Sequence, residues 1–165
     1  MISEKLKTAI NEQINKEFYS SYLYLSMAAH FDAHALPGFA KWMKVQASEE
    51  WAHGMKFYDY LTEVGSEVTL AAIALPPTKF GTPKEIFQQV YAHEQMVTAS
   101  INAIYELAKA EKDPKTEIML HWFINEQIEE EKNDRDILDQ LEQSGSNGFG
   151  IMFMDQHVLG SRKKG

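Results

Sequence analysis

Four stretches of this chain, separated by helix breakers, repeat an apolar residue every three or four positions. A helix with such a stripe must bury it, and four of similar length bury theirs against one another in a bundle. Ser3 is a candidate N-cap for the first, over residues 3–34. Leu36-Pro37-Gly38 breaks that helix and opens the second, over 37–64, which stops at Gly65. Thr82-Pro83-Lys84-Glu85 reads as a capping box with proline at the first helical position, so a third helix runs over 83–111. Asp113-Pro114 ends it and opens the fourth, over 114–144, which stops at Ser144-Gly145. A short apolar helix over 149–159 and a basic end, Arg162-Lys163-Lys164, complete a chain read as one domain over 1–165. Each main segment, at roughly 28 to 31 residues, is about 42 to 46 Å long. Tight connections after the first and third predict antiparallel hairpins. Residues 66–81, at about 3.3 Å each, can span the length of a helix. The expected fold is therefore all-α, a four-helix bundle with one long crossover between helices two and three.

Each stripe is interrupted by acid at its middle. Ile10, Ile14, Glu17, Ser21, Tyr24, Ala28 and Phe31 form the first. The second holds Gln46, Glu50 and His53 between Met43 and Phe57, and the third holds Glu94 between Val90 and Val97. The fourth runs Leu120, Phe123, Gln127, Glu130, Asp134, Ile137, Leu141. The spacings repeat. Glu50 and His53 follow Glu17 by 33 and 36 residues, and Gln127 and Glu130 follow Glu94 by the same 33 and 36. Glu17 and His53 are equidistant from Ala35, as Glu94 and Glu130 are from Lys112, so six polar side chains meet at one level. A solvated face would be the bland explanation for any one of them. Several unpaired carboxylates buried together would cost several kcal/mol each or hold protons, and a bound cation removes that cost. Carboxylates with one imidazole suit iron or manganese, zinc less well, and calcium poorly. Two ions sharing Glu50 would use all six groups.

Composition narrows the partners. Of 165 residues, 24 are acids and 16 are bases, a formal net charge of -8. That balance favours cations over nucleic-acid backbones, and the basic end is too short for a nucleic-acid arm. The absence of cysteine excludes disulfides, thiolate zinc sites, cysteine nucleophiles and cysteine-ligated iron–sulfur centres. The opening MISEKLKTAINEQ lacks the pattern of a signal peptide, and no run approaches the roughly 20 apolar residues of a membrane span. A cytoplasmic location is the expectation.

One Glu on helix one, Glu-x-x-His on helix two, Glu on helix three and a polar pair on helix four resemble the ferritin-like carboxylate bundles. Within that superfamily the stretches NEQINKEFYSSYLY, ASEEWAH, YAHEQ and WFINEQIEEEK are similar to the non-haem ferritins of prokaryotes, over residues 3 to 159. There are departures from neighbouring groups. Haem-containing bacterioferritins and di-iron oxygenases carry a second Glu-x-x-His where this chain has Gln127 and Glu130, and Ala52 stands where a bacterioferritin would offer its haem-binding methionine. No haem is expected, and iron is expected as substrate rather than prosthetic group.

The resemblance implies an iron-storing ferroxidase. It oxidises Fe(II) in pairs with O2 or H2O2 and deposits ferric mineral inside a homo-oligomeric shell of about 24 subunits. It places one iron on Glu17, Glu50 and His53 and the second on Glu50, Glu94 and Glu130, with Gln127 at the edge. Tyr24 becomes a neighbouring donor and possible electron source, or simply an inward aromatic, and Trp122 reads as packing. Glu49, Glu126 and Glu129 match residues that hold a third iron, with a solvated acidic face as the alternative, and Glu131 is left as a surface charge. His30, His34, His93, His121 and His157 have no matched partners. Replacing Glu94 with leucine is expected to stabilise the metal-free bundle. Two other functions compete: a Dps-like mini-ferritin, whose ligands lie between subunits, and a di-iron oxygenase, which prefers two Glu-x-x-His pairs. A metal-free scaffold would need no acid at its centre.

Overall fold

The computed structural model describes residues 1–144 and 147–163. Gly145, expected to stop the fourth helix, and Lys164 of the basic end lie outside the described residues. The four long helices are α1 (Glu4–Ala33), α2 (Pro37–Glu63), α3 (Pro83–Ala110) and α4 (Pro114–Ser144). Ser3 Oγ accepts from the Leu6 amide at 3.3 Å and caps α1. Thr82 and Glu85 make both bonds of a capping box on α3. Asp113 Oδ1 accepts from the Lys115 and Thr116 amides, each at 3.1 Å, and caps α4. Among the described residues there is no strand, and no helix is long and apolar enough to cross a membrane.

Helix α1 packs along α2 and α3 along α4, and the long crossover joins the two hairpins. The crossover has no regular structure, so its backbone groups need other partners. Helix α1 supplies them in sequence order. Asn11 bonds Glu67 and Thr69, Asn15 bonds Ala71 and Ala72, Ser26 bonds Pro77 and His30 bonds Gly81. The strap therefore runs along α1 from its first half to its last turn.

Buried apolar side chains fall into two clusters. One contains Leu23, Tyr24, Phe31, Phe39, Met43, Phe87, Val90, Ile137 and Leu141. The other contains Leu6, Ile10, Ile14, Phe57, Val97, Ile101, Ile104, Leu120 and Phe123. On every long helix the residues between the two clusters are the polar ones, so a polar layer divides the core.

The C-terminal tail is more than a single short helix. After α5 (Gly148–Phe153) the chain continues as a π-helical stretch, Met154–Leu159. This tail caps α2, whose own N-cap residue, Leu36, makes no side-chain cap. Asp155 Oδ1 accepts from the Phe39 amide at 2.8 Å, and Lys41 Nζ donates to the Gly160 carbonyl at 2.9 Å. Gly38 has to be glycine for this contact, because a β-carbon there would collide with the Asp155 carbonyl oxygen.

Three helices end in the same motif. The amides of Leu36, Ser66 and Asp113 donate back to Phe31, Leu61 and Ala108, and the residues before them have φ of 57° (Ala35), 72° (Gly65) and 57° (Lys112). Only α2 uses glycine there. Left-handed conformation costs a residue with a β-carbon roughly 1–2 kcal/mol, partly offset by the chain entropy that glycine adds to the unfolded state. Ala35→Gly and Lys112→Gly should each raise the melting temperature of the metal-free protein by about 1–3 °C. Lower melting in both variants would refute the strain account.

Candidate metal centre

The polar layer is assembled from all four long helices. Glu17 comes from α1, Glu50 and His53 from α2, Glu94 from α3, and Gln127 and Glu130 from α4. None is more than 5% exposed. Glu17, Glu50 and His53 each bring one ligand atom to within 4.8 Å of the others, and so do Glu50, Glu94 and Glu130. Glu50 belongs to both triads. A third triad joins His53, Glu126 and Glu130 at the outer edge. His53 offers Nδ1 to the layer, 3.3 Å from Glu50 and 4.0 Å from Glu17, while Nε2 faces Glu126 at 3.7 Å.

Glutamine amides hold the carboxylates in place. Gln13 Nε2 donates to Glu17 at 2.8 Å, one helical turn away. Gln46 Nε2 donates to Glu50 at 2.8 Å, also one turn away, and to Glu130 at 2.9 Å. Gln127 Nε2 donates to the Glu94 carboxylate at 3.1 Å, and the Tyr24 hydroxyl donates to the same carboxylate. The stripes do not single out Gln13, and they carry Gln46 without a role. The signal for both was available: an amide four residues before a buried acid.

Burial pushes the carboxyls upward, and their mutual repulsion adds to it. Glu17 is held well above the usual range, first by burial and then by the Glu50 charge. Burial also raises Glu50 strongly, helped by Glu94 and Glu130. Glu130 reaches about 8, from burial and then Glu94. Glu94 is raised by burial against the opposing bonds from Tyr24 and Gln127. A cation entering the layer would displace protons and satisfy these oxygens, including Glu17 Oε2, a buried atom with no hydrogen-bond partner. Oxygen donors with one imidazole fit iron or manganese.

The outer acids are arranged unequally. Glu126 is part of the third triad, Glu129 is exposed, and Glu49 is paired with Arg162 at 2.7 Å. Glu131 is not a plain surface charge, because it is half-buried and accepts from Thr98 Oγ1 at 2.7 Å. The Trp122 ring lies edge-on to His53 at 5.4 Å, under Lys56 Nζ at 3.9 Å. His93 packs against α1, with Ser20 Oγ at 2.7 Å and the Tyr24 ring at 5.8 Å, and joins none of the three triads.

These features of geometry have counterparts elsewhere. The ferritin-like domain family matches residues 7–144. The chain belongs to the ferritin family. The bacterial non-heme ferritin of Bacteroides fragilis (strain 638R) is 43% identical over 98% of this chain and 100% of that protein. The bacterial non-heme ferritin of Escherichia coli O6:H1 is 35% identical over 96% of each. An open pore ferritin of the archaeon Archaeoglobus fulgidus superposes with a TM-score of 0.96 at 44% identity, covering 98% of both chains. A closed form of that ferritin, engineered by mutagenesis, superposes at 0.97 and 43%, covering 100% of both.

Asp134, one turn beyond Glu130, has a buried oxygen without a partner. Burial and then the Glu94 charge raise its carboxyl from 3.8 to about 8. It is a better target for a stabilising substitution than Glu94, whose removal would strand the Tyr24 hydroxyl and the Gln127 amide. A carboxyl raised in this way contributes stability below 3.8 that is lost as pH rises through about 8. The metal-free protein should therefore melt higher near about pH 5 than near about pH 8.5, with Asp134 accounting for a loss on the order of a few kcal/mol per subunit. Asp134→Asn should shrink that difference. Melts in chelator at the two pH values check this, and a parent more stable on the alkaline side would contradict it.

Proposed function

We propose that this chain, acting as one ferritin-like domain, is an iron-storage ferritin with ferroxidase activity. The observation that carries the reading is Glu50, shared between two buried triads. Glu17, Glu50 and His53 would hold one Fe(II), and Glu50, Glu94 and Glu130 the second, with Gln127 hydrogen-bonded at the edge. Each Fe(II) gives up one electron, so a pair matches the two-electron reduction of O2 to H2O2, or of H2O2 to water. The raised carboxyls of Glu50 and Glu130 would give up protons as Fe(II) binds, which makes binding tighter as pH rises.

Iron here is substrate and must leave. Gln127 is neutral where a further acid would tighten the second position, and Glu130 is carboxylate where an imidazole would stand in an oxygenase. Glu126, beside His53 and Glu130, together with Glu49 and Glu129, would accept a third iron on the way to the mineral. Tyr24, hydrogen-bonded to Glu94, is placed to supply an electron to the second position. The product would be stored within a homo-oligomeric shell of about 24 subunits in the cytoplasm. The complete ligand set within one chain favours this over a mini-ferritin that shares ligands between subunits, and the single Glu-x-x-His over an oxygenase.

His53→Ala and Glu50→Ala should each slow the initial Fe(II) oxidation by at least about tenfold while the particle keeps its native mass. Either variant oxidising Fe(II) at the parent rate would reject the assignment. Glu49→Ala combined with Glu126→Ala should spare the first rapid oxidation of two irons per chain and slow later turnover. Normal multi-turnover kinetics in that double variant would remove the third position.

A further inference from the structure

The acid at the outer edge of the centre is already engaged by a cation of the protein's own. Arg162 follows the π-helical tail, and its side chain is only 18% exposed. Nη2 donates to Glu49 Oε2 at 2.7 Å and to Gln46 Oε1 at 2.9 Å. Nη1 donates to the Trp42 carbonyl at 3.3 Å, and the guanidinium lies 4.3 Å above the Trp42 ring. The other end of the Gln46 amide donates to Glu50 and Glu130, so one continuous chain of hydrogen bonds links Arg162 to the buried pair. The tail that brings Arg162 here is anchored independently, through Asp155 on the start of α2 and Lys41 on Gly160.

We propose that Arg162 is a built-in counter-cation on Glu49 that must release this carboxylate before it can hold a metal ion, and so sets the affinity of the outer position. The inference rests on the ferroxidase reading, in which Glu49 serves the third ion. A guanidinium keeps its charge at every physiological pH, so the competition cannot be relieved by deprotonation, as it could with histidine. It is relieved only when an incoming ion outbids the arginine for Glu49. The carboxylates of the buried pair make no direct hydrogen bond to Arg162, which reaches Glu50 and Glu130 by way of the neutral Gln46 amide, so their affinity is less exposed to the same competition. The outer position is thereby kept weaker than the pair, as a transit position must be.

Zinc is a redox-silent probe for this test. The assembled full-length protein is titrated with Zn(II) by calorimetry, as parent, Arg162→Gln and Arg162→Lys, while tryptophan emission is followed. Trp42→Phe identifies the contribution of Trp42. Arg162→Gln should tighten the third binding step by about tenfold and leave the first two within about twofold, while Arg162→Lys, which keeps the charge, should stay near the parent. In the parent, Trp42 emission should change at the third step as the guanidinium leaves its ring, and in Arg162→Gln it should not. An unchanged third step in Arg162→Gln overturns the proposal. So does a weakened one, which would make Arg162 a structural support of the site. A parent that takes up no tight pair of ions would instead defeat the ferroxidase reading itself.

Discussion

The structure depends on one costly arrangement, a layer of carboxyl groups buried between two apolar clusters. Glu17, Glu50, Glu94 and Glu130 converge where a bundle of this size would otherwise be dry. Neighbouring acids in a low-dielectric space cannot all ionise, so the metal-free layer holds protons. Much of the remaining architecture works to keep that layer in place. Gln13, Gln46 and Gln127 each aim an amide at one or two of the carboxylates, and Tyr24 adds its hydroxyl. Apolar packing on both sides supplies the stability that the layer removes. At about 25 cal/mol per Å² of buried apolar surface, a few fully buried phenylalanines offset one awkward acid.

The bundle meets the geometric demand by using the same hairpin twice. Each hairpin turns through a left-handed residue, Ala35 or Lys112, and these are the residues about which the ligand positions are symmetric in sequence. A turn of fixed length puts residues equally distant from it at one level, so hairpin closure itself sets the register of the acids. The crossover then has only to join the hairpins, and its bonding to Asn11, Asn15, Ser26 and His30 keeps it along α1.

This explains which features were legible from sequence. Local periodicity and capping chemistry act over a few residues, so the helices and the inward acids could be read from Ser3, Thr82, Asp113 and the four stripes. The shared level of Glu17 with His53, and of Glu94 with Glu130, follows from counting residues to Ala35 and Lys112. What sequence could not reveal depends on partners distant in the chain. The cap on α2 comes from Asp155, and Glu49 is paired with Arg162, contacts that only docking of the tail creates. Glu131 looked like surface because its neighbours are acids, yet Thr98 of the facing helix takes it up. The identity of the ion and the reaction are matters of donor chemistry and resemblance, and they stand as the proposal above.

Under that proposal, charge explains why the iron moves on. Two Fe(II) carry four positive charges, matched by the carboxylates of Glu17, Glu50, Glu94 and Glu130. Oxidation adds two more positive charges, which the six groups of the layer do not match because Gln127 is neutral, and the buried Asp134, one turn beyond Glu130, is raised by burial to about 8. Oxygen-derived anions can make up part of the difference, but nearby unsatisfied acids lower the energy of an ion that shifts toward them. Glu126 lies next to the layer and Glu129 at its exposed edge, while Glu49 is held back by Arg162. A centre balanced for the reduced pair and undercompensated for the oxidised one favours entry of Fe(II) and departure of Fe(III). A further carboxylate within the layer, at position 127, would reduce that bias and hold the ion in place.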